Sequence, residues 1–183
     1  MWKVRIFTLY PEMFPGPLNQ GLYGKALSNR LWSIEVINIR DSAPDKHKTV
    51  DDKPFGGGSG MLLKADVLGK SIDEHKKENE RIFYLSPKGK KFDQKLAQDL
   101  SKEKSVALIC GQFEGVDERV LNTRNIEEIS IGDYILSGGE TAALVVLDSI
   151  LRLLPGVLGN KKSSIDETFE NGLLEYPQYT KPQ

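Results

Sequence analysis

Apolar positions along the chain follow two alternating rhythms. Short runs rich in β-branched and aromatic residues occupy 3–9, 33–39, 81–85, 105–110 and 128–131, and predict strands. Between them, apolar residues at helical spacing over 18–28, 64–77, 93–101, 117–123 and 140–154 predict helices, the last being the most regular. Parallel strands need a long crossover, usually a helix, so this alternation predicts an α/β domain with a mostly parallel sheet. Residues 40–60 and 160–183 carry no apolar period. Loops of about 20 residues are uncommon in a compact domain unless they serve a function, which makes both stretches candidates for handling a substrate. The second has one small apolar cluster at 172–176 before two prolines, and reads as a linker leading away from the domain.

Composition narrows the picture. A chain of 183 residues with 39% apolar and 28% charged residues fits one globular domain with a single sizeable core. Its formal net charge of −1 argues against a uniformly basic surface, so any contact with nucleic acid has to come from a local patch. Lys88, Lys90, Lys91 and Lys95 are one candidate, although a solvated helix end accounts for them equally well. The single cysteine, Cys110, closes an apolar run; it predicts a buried, inert thiol and a reducing compartment. Lys3 and Arg5 interrupt the N-terminal apolar run, unlike a signal-peptide core, and no stretch reaches the ~18 apolar residues of a membrane span. A cytosolic protein is expected.

Three turns follow predicted strands, at 85–89, 111–115 and 131–139, and each contains glycine. In open α/β sheets ligands bind beyond the carboxyl ends of the strands, and glycine lets backbone approach a ligand closely, so three such turns predict one pocket. The common nucleotide signatures are missing: there is no G-x-G-x-x-G, and the glycine run at 54–61 lacks the Lys-Ser/Thr ending of a P-loop. That run suits a lid or a close wall for a flat ligand. Asp45, His47, Asp51 and Asp52 cluster near one another, but interleaved lysines and non-standard spacing favour a solvated charged loop over a metal site. On the last helix Thr141, Asp148 and Arg152 share a face, where Asp148 and Arg152 read most simply as a surface ion pair.

Five segments occur in order: PFGGGSGM at 54–61, YLSPKG at 84–89, CGQFEGVDERV at 110–120, SIGDYILSGGE at 130–140 and LLPGVLG at 153–159. Together they resemble the bacterial tRNA (guanine-N1)-methyltransferase family, over residues 2 to about 179. The resemblance implies a SPOUT-type fold: a mostly parallel sheet with helices on both faces and a C-terminal trefoil knot. It implies a homodimer, S-adenosylmethionine as methyl donor, and as acceptor the guanine immediately 3′ of the anticodon (position 37) in tRNA. Carried over by position, cofactor-binding residues are Tyr84, Leu85, Ser86, Pro87, Gly111, Glu114, Ser130, Ile131, Gly132, Asp133, Tyr134, Ile135, Leu136, Gly138 and Gly139. Gly60 falls near the target base.

Guanine N1 carries a proton at neutral pH, so its methylation needs a base and a donor to steady charge developing on O6. The resemblance assigns Arg152 the cationic role, contacting the substrate, and draws the base from 163–169. There the family's Asp-Ser-Phe is replaced by Asp166-Glu167-Thr168-Phe169, and counting from Arg152 puts Glu167 at the catalytic position with Asp166 beside it. Phe113 stands where tyrosine is more usual, so no hydroxyl bonds from that position. Residues 1–159 are expected to form the catalytic domain and 160–183 a flexible linker that contains the catalytic loop. The family's helical C-terminal tRNA-binding domain has no counterpart in this sequence. No metal ligands are assigned, and whether Mg2+ assists is not readable from the residues. Two alternatives stay open: a SPOUT methyltransferase for another RNA position, and a non-catalytic RNA-binding module.

Overall fold

The computed structural model describes residues 1–158, 177 and 179–181. In chain order its elements are β1 (Trp2–Thr8), α1 (Gly21–Ser28), β2 (Trp32–Asn38), β3 (Asp51–Asp52), β4 (Leu62–Leu63), α2 (Ala65–His75), β5 (Arg81–Lys91), α3 (Gln94–Ser101), β6 (Ser105–Cys110), α4 (Glu118–Thr123), β7 (Glu127–Ser130) and α5 (Gly139–Leu151). Five strands form one sheet in the order β2-β1-β6-β5-β7, and every pairing is parallel. This is the parallel α/β arrangement that the alternating pattern predicts.

Burial explains the strand sequences. β6, SVALIC, is central and buried from Val106 to Cys110, and a strand covered on both faces reads as an unbroken apolar run. The edge strand β2 is only partly covered and admits Glu35. Arg5 is the exception on inner strand β1: it is 6% exposed, yet its guanidinium bonds Glu35 on β2 at 2.9 Å and also the buried Glu80 carboxylate. A buried guanidinium is tolerable only when paired in this way.

Helices cover both faces. Ala26 of α1, Ala97 and Leu100 of α3 and six apolar residues of α5 pack on one side with Val4, Ile6, Phe83 and Leu108. Val67, Leu68 and Ile72 of α2 and Val120 and Leu121 of α4 pack on the other with Phe7, Ile82 and Ile109. Asp93 and Asp117 start α3 and α4 by accepting the backbone N–H of Leu96 and Arg119, respectively.

Two features depart from the sequence expectation. Residues 40–60 are partly regular: β3 pairs antiparallel with β4, and Val50 is buried with its carbonyl accepting the Lys64 N–H. Strands of two residues are too short to show a period. Strand β5 also runs past the expected end at Leu85, because both Leu85 and Lys90 lie opposite Ile129 on β7. Residues 86–89 therefore bulge outward and the chain returns to the same edge. Gly89 permits the return, since a Cβ there would overlap the Ile129 backbone.

Candidate ligand site at the carboxyl ends of the strands

The carboxyl ends of β5, β6 and β7 each lead into a loop, and the three loops enclose a cavity of about 290 Å³. The first wall is Tyr84, Leu85, Ser86 and Pro87 with Lys88; the second is 111–115; the third is Ser130, Ile131, Gly132, Tyr134, Ile135, Leu136 and 137–139. Fourteen of the fifteen residues expected to hold a cofactor line it, and Asp133 does not. Lys88, Gln112, Phe113, Gly115, Ile129, Ser137 and Ala142 also line it and were not among the residues expected to hold the cofactor. Most of these belong to the same three turns, so their places in the turns were the available signal. The volume lies at the lower edge of the ~300–1,000 Å³ typical of small-molecule sites.

Glycine serves this cavity mainly through close approach. Gly138 has φ −164°, an extended backbone open to any residue. A Cβ there would overlap Gln112 Nε2 and lie 2.7 Å from Glu140 Oε2, so a side chain would have to displace the bonded Gln112–Glu140 pair. At Gly139 a Cβ would sit 2.7 Å from Cys110 Cα and 2.8 Å from Gly111 N, so the start of α5 rests directly on the end of β6. The Gly139 N–H donates to the Gly111 carbonyl at 2.9 Å. Phe113 shows the opposite economy, a bulky residue at φ +59° on the cavity wall, a conformation that strains a side chain.

Tyr84 forms part of the floor. Its ring and hydroxyl occupy the space a Gly111 Cβ would take, and burial pushes its phenol up to about 12, aided by the nearby Glu128 and Glu118 carboxylates. The Cys110 thiol is fully buried and pushed well up, first by burial and then by the negative charge of Glu140, so it stays protonated and inert.

The glycine-rich segment closes on the same site. Glu114 N–H donates to the Met61 carbonyl at 3.0 Å, Leu63 N–H to the Gly115 carbonyl at 2.9 Å and Asp117 N–H to the Leu63 carbonyl at 3.1 Å. This pairing places Gly60 against Glu114, where a Cβ would lie 2.7 Å from Glu114 Oε1. Glu114 itself is exposed at the cavity mouth. A second cleft of about 500 Å³ opens between Asp52, Lys53, Phe55, Lys64, Asp66, Asp117 and Arg119. It lies away from the strand ends, and its Arg119 and Lys64 are engaged by Asp117 at 2.6 Å and Asp66 at 3.8 Å.

The remaining expected residues fall elsewhere. Arg152 is half-buried at the C-terminal cap of α5 and is not part of the cavity wall. The Asp148 carboxylate accepts from the Tyr23 hydroxyl at 2.9 Å, which joins α1 to α5. Asp166 and Glu167 lie outside the described residues. Asp45 spends its oxygens on its own loop, accepting from His47 N, Thr49 N and Thr49 Oγ1. Among the described residues no three His, Cys, Asp or Glu side chains converge to hold a metal.

A parallel sheet with one cavity built from three strand-end loops defines a small-molecule-binding α/β domain. The profile of the family described as tRNA (Guanine-1)-methyltransferase TrmD matches residues 2–183. A relative from Pelagibacter ubique (strain HTCC1062), named tRNA (guanine-N(1)-)-methyltransferase, is 78% identical over 183 residues, covering 100% of this chain and 80% of its own. Proteins of the same name from Bartonella tribocorum (58% identical, 99% of this chain and 78% of theirs) and Wolbachia pipientis (52%, 100% and 80%) are also similar. The chain belongs to the tRNA (guanine-1)-methyltransferase family.

Proposed function

We propose that the protein transfers a methyl group from S-adenosylmethionine to N1 of the guanine immediately 3′ of the anticodon, position 37, in tRNA. The observation that carries this reading is the juxtaposition of the three-loop cavity with Gly60 and Glu114 at its mouth. Family membership supports the methyl donor and the tRNA acceptor.

The cavity suits the cofactor chemically. Its walls offer backbone groups at three strand ends for an adenine edge, and the exposed Glu114 carboxylate suits the cationic end of the ligand. When bound, S-adenosylmethionine supplies an activated methyl group. The protein's own tasks are then three. The loops hold the donor, and Gly60, with no side chain, lets the glycine-rich segment close against Glu114 beside the place of the target base. The carboxylate of Glu167, with Asp166 beside it, accepts the N1 proton, and the Arg152 guanidinium steadies negative charge on O6.

Arg152 caps a helix outside its own cavity wall, so we assign it to the cavity of a second subunit in a homodimer. Supporting this are exposed apolar residues on neighbouring elements: Leu22 on α1, Val145 on α5, and Ile135, which is 81% exposed on the third loop. Sedimentation equilibrium should return twice the chain mass, and a monomer at micromolar concentration would remove the shared-site assignment. The trefoil knot belongs to the same reading, supported by family membership. So does a cytoplasmic location, where tRNA is the substrate; no helix among the described residues is long and apolar enough to cross a membrane.

Mapping the methyl group on tRNA transcripts tests the function. The expected product is N1-methylguanine at position 37 alone. Modification at another position would move the protein to a different RNA target, and cofactor uptake without transfer would make it a binding module.

A further inference from the structure

The first turn of α5 carries a carboxylate that the cavity does not touch. Glu140 is 2% exposed and is not part of the cavity wall. A carboxylate withdrawn from water is costly unless its oxygens are hydrogen-bonded. One oxygen of Glu140 accepts from the Thr8 hydroxyl at 2.6 Å and the other from the Gln112 side-chain amide at 2.6 Å. The Thr8 hydroxyl also accepts the Tyr10 N–H at 2.9 Å, so it acts as donor and acceptor at once. Thr8 ends β1, Gln112 lies in the loop after β6, and Glu140 begins α5. Two of the three cavity loops are therefore fastened to β1 through one side chain. Gly138 leaves the space that the Gln112–Glu140 bond fills.

We propose that Glu140 is a positioning residue for cofactor binding: by bridging Thr8 and Gln112 it fixes the second and third cavity loops in their binding geometry before the cofactor arrives. This rests on reading the cavity as the S-adenosylmethionine site. A carboxylate suits the task because both oxygens accept, and the positive end of the helix dipole favours its charge. Loops held in place beforehand lose less freedom when a ligand binds, which raises affinity.

The test begins with Thr8→Val, because Thr8 is fully buried and touches no cavity space, and with Gln112→Met, which removes the other donor. S-adenosylmethionine affinity is read by calorimetry, and amide hydrogen exchange over 111–115 and 137–139 is read in the cofactor-free protein. Thr8→Val is expected to weaken binding about tenfold, a change of about 1.4 kcal/mol, and to speed exchange in both distant stretches. The double variant should lose less than the product of the single losses, because both act through Glu140. In Thr8→Val, KM for the cofactor should rise while kcat at saturation stays near that of the parent, a split that general loosening of the fold would not produce. The reciprocal exchange of Gln112→Glu with Glu140→Gln should recover affinity lost in Gln112→Glu alone, since an amide at 140 can donate to a carboxylate at 112 and still accept from Thr8.

Parent-like affinity and exchange in Thr8→Val, or no recovery in the reciprocal exchange, overturns the proposal. If Thr8→Val does not fold, the reciprocal exchange decides, together with amide exchange over 137–139 in cofactor-free Gln112→Met, because Gln112 lines the cavity and its own loss weakens binding directly. Parent protein that takes up no S-adenosylmethionine overturns the functional reading and this inference with it, whereas parent uptake with an unaffected Thr8→Val overturns only the inference.

Discussion

Gly139→Ala is expected to weaken S-adenosylmethionine binding at least about 100-fold, or about 2.7 kcal/mol, while leaving a folded protein. Helix propensity alone predicts the opposite direction, since alanine is favoured over glycine within a helix by about 1 kcal/mol. The contact outweighs it. The added Cβ would lie 2.7 Å from Cys110 Cα and 2.8 Å from Gly111 N, and both are backbone atoms at the end of the central strand. Backbone held in a sheet cannot rotate away as a side chain can, so the start of α5 has to move. That movement opens the 2.9 Å bond from Gly139 N–H to the Gly111 carbonyl and draws 137–139 back from the cavity. Overpacking of this kind typically costs about 1–3 kcal/mol of stability, so circular dichroism should show native structure with a lowered Tm. Calorimetric affinity equal to the parent's would mean that the third loop is not part of the cofactor site.

The largest effect on chemistry is expected at the base. Glu167→Gln should slow single-turnover methyl transfer at saturating cofactor about 10²–10⁴-fold, the range that general base catalysis contributes. An amide keeps the size and polarity of the side chain but cannot accept the N1 proton. Asp166→Asn, the matched control, should retain most of the rate, because counting from Arg152 puts Glu167 at the position of the family's aspartate. Cofactor affinity should change little in either variant, since each amide keeps the size and polarity of the carboxylate it replaces. A near-parent rate for Glu167→Gln with a deep loss in Asp166→Asn would move the base to Asp166.

The fold was legible wherever local pattern carries it. The central strand at 105–110 matched to the residue, β1, β2 and β7 each start one residue earlier than expected, and β5 starts at Arg81 as expected but runs on to Lys91. Their β-branched runs are bounded by turn residues, and both signals are local. The helix expected over 18–28 begins later, at Gly21, because Gly16–Asn19 forms a separate 3-10 turn before it. The paired strands β3 and β4 were not legible, since two-residue strands have no period and their partners lie across the glycine-rich loop. The same holds for the return of β5 after 86–89: Pro87 and Gly89 read as a turn, and only the neighbouring β7 edge brings the chain back.

The candidate site was legible as three glycine-bearing turns at strand ends, and its family through five ordered segments long enough to be distinctive. Sequence by itself determined the parallel α/β class, the inert place of Cys110 and the family, because period, turn chemistry and extended motifs are written in neighbouring residues. Only the tertiary structure decided why residue 139 is glycine, and that the reason is contact with the Cys110–Gly111 backbone rather than a left-handed backbone. It alone brought Glu140 to Thr8 across 132 positions and to Gln112 across 28. Hydrogen bonds at such separations leave no imprint on local spacing; they exist because β1 and β6 pair in the sheet and α5 is set down over their ends.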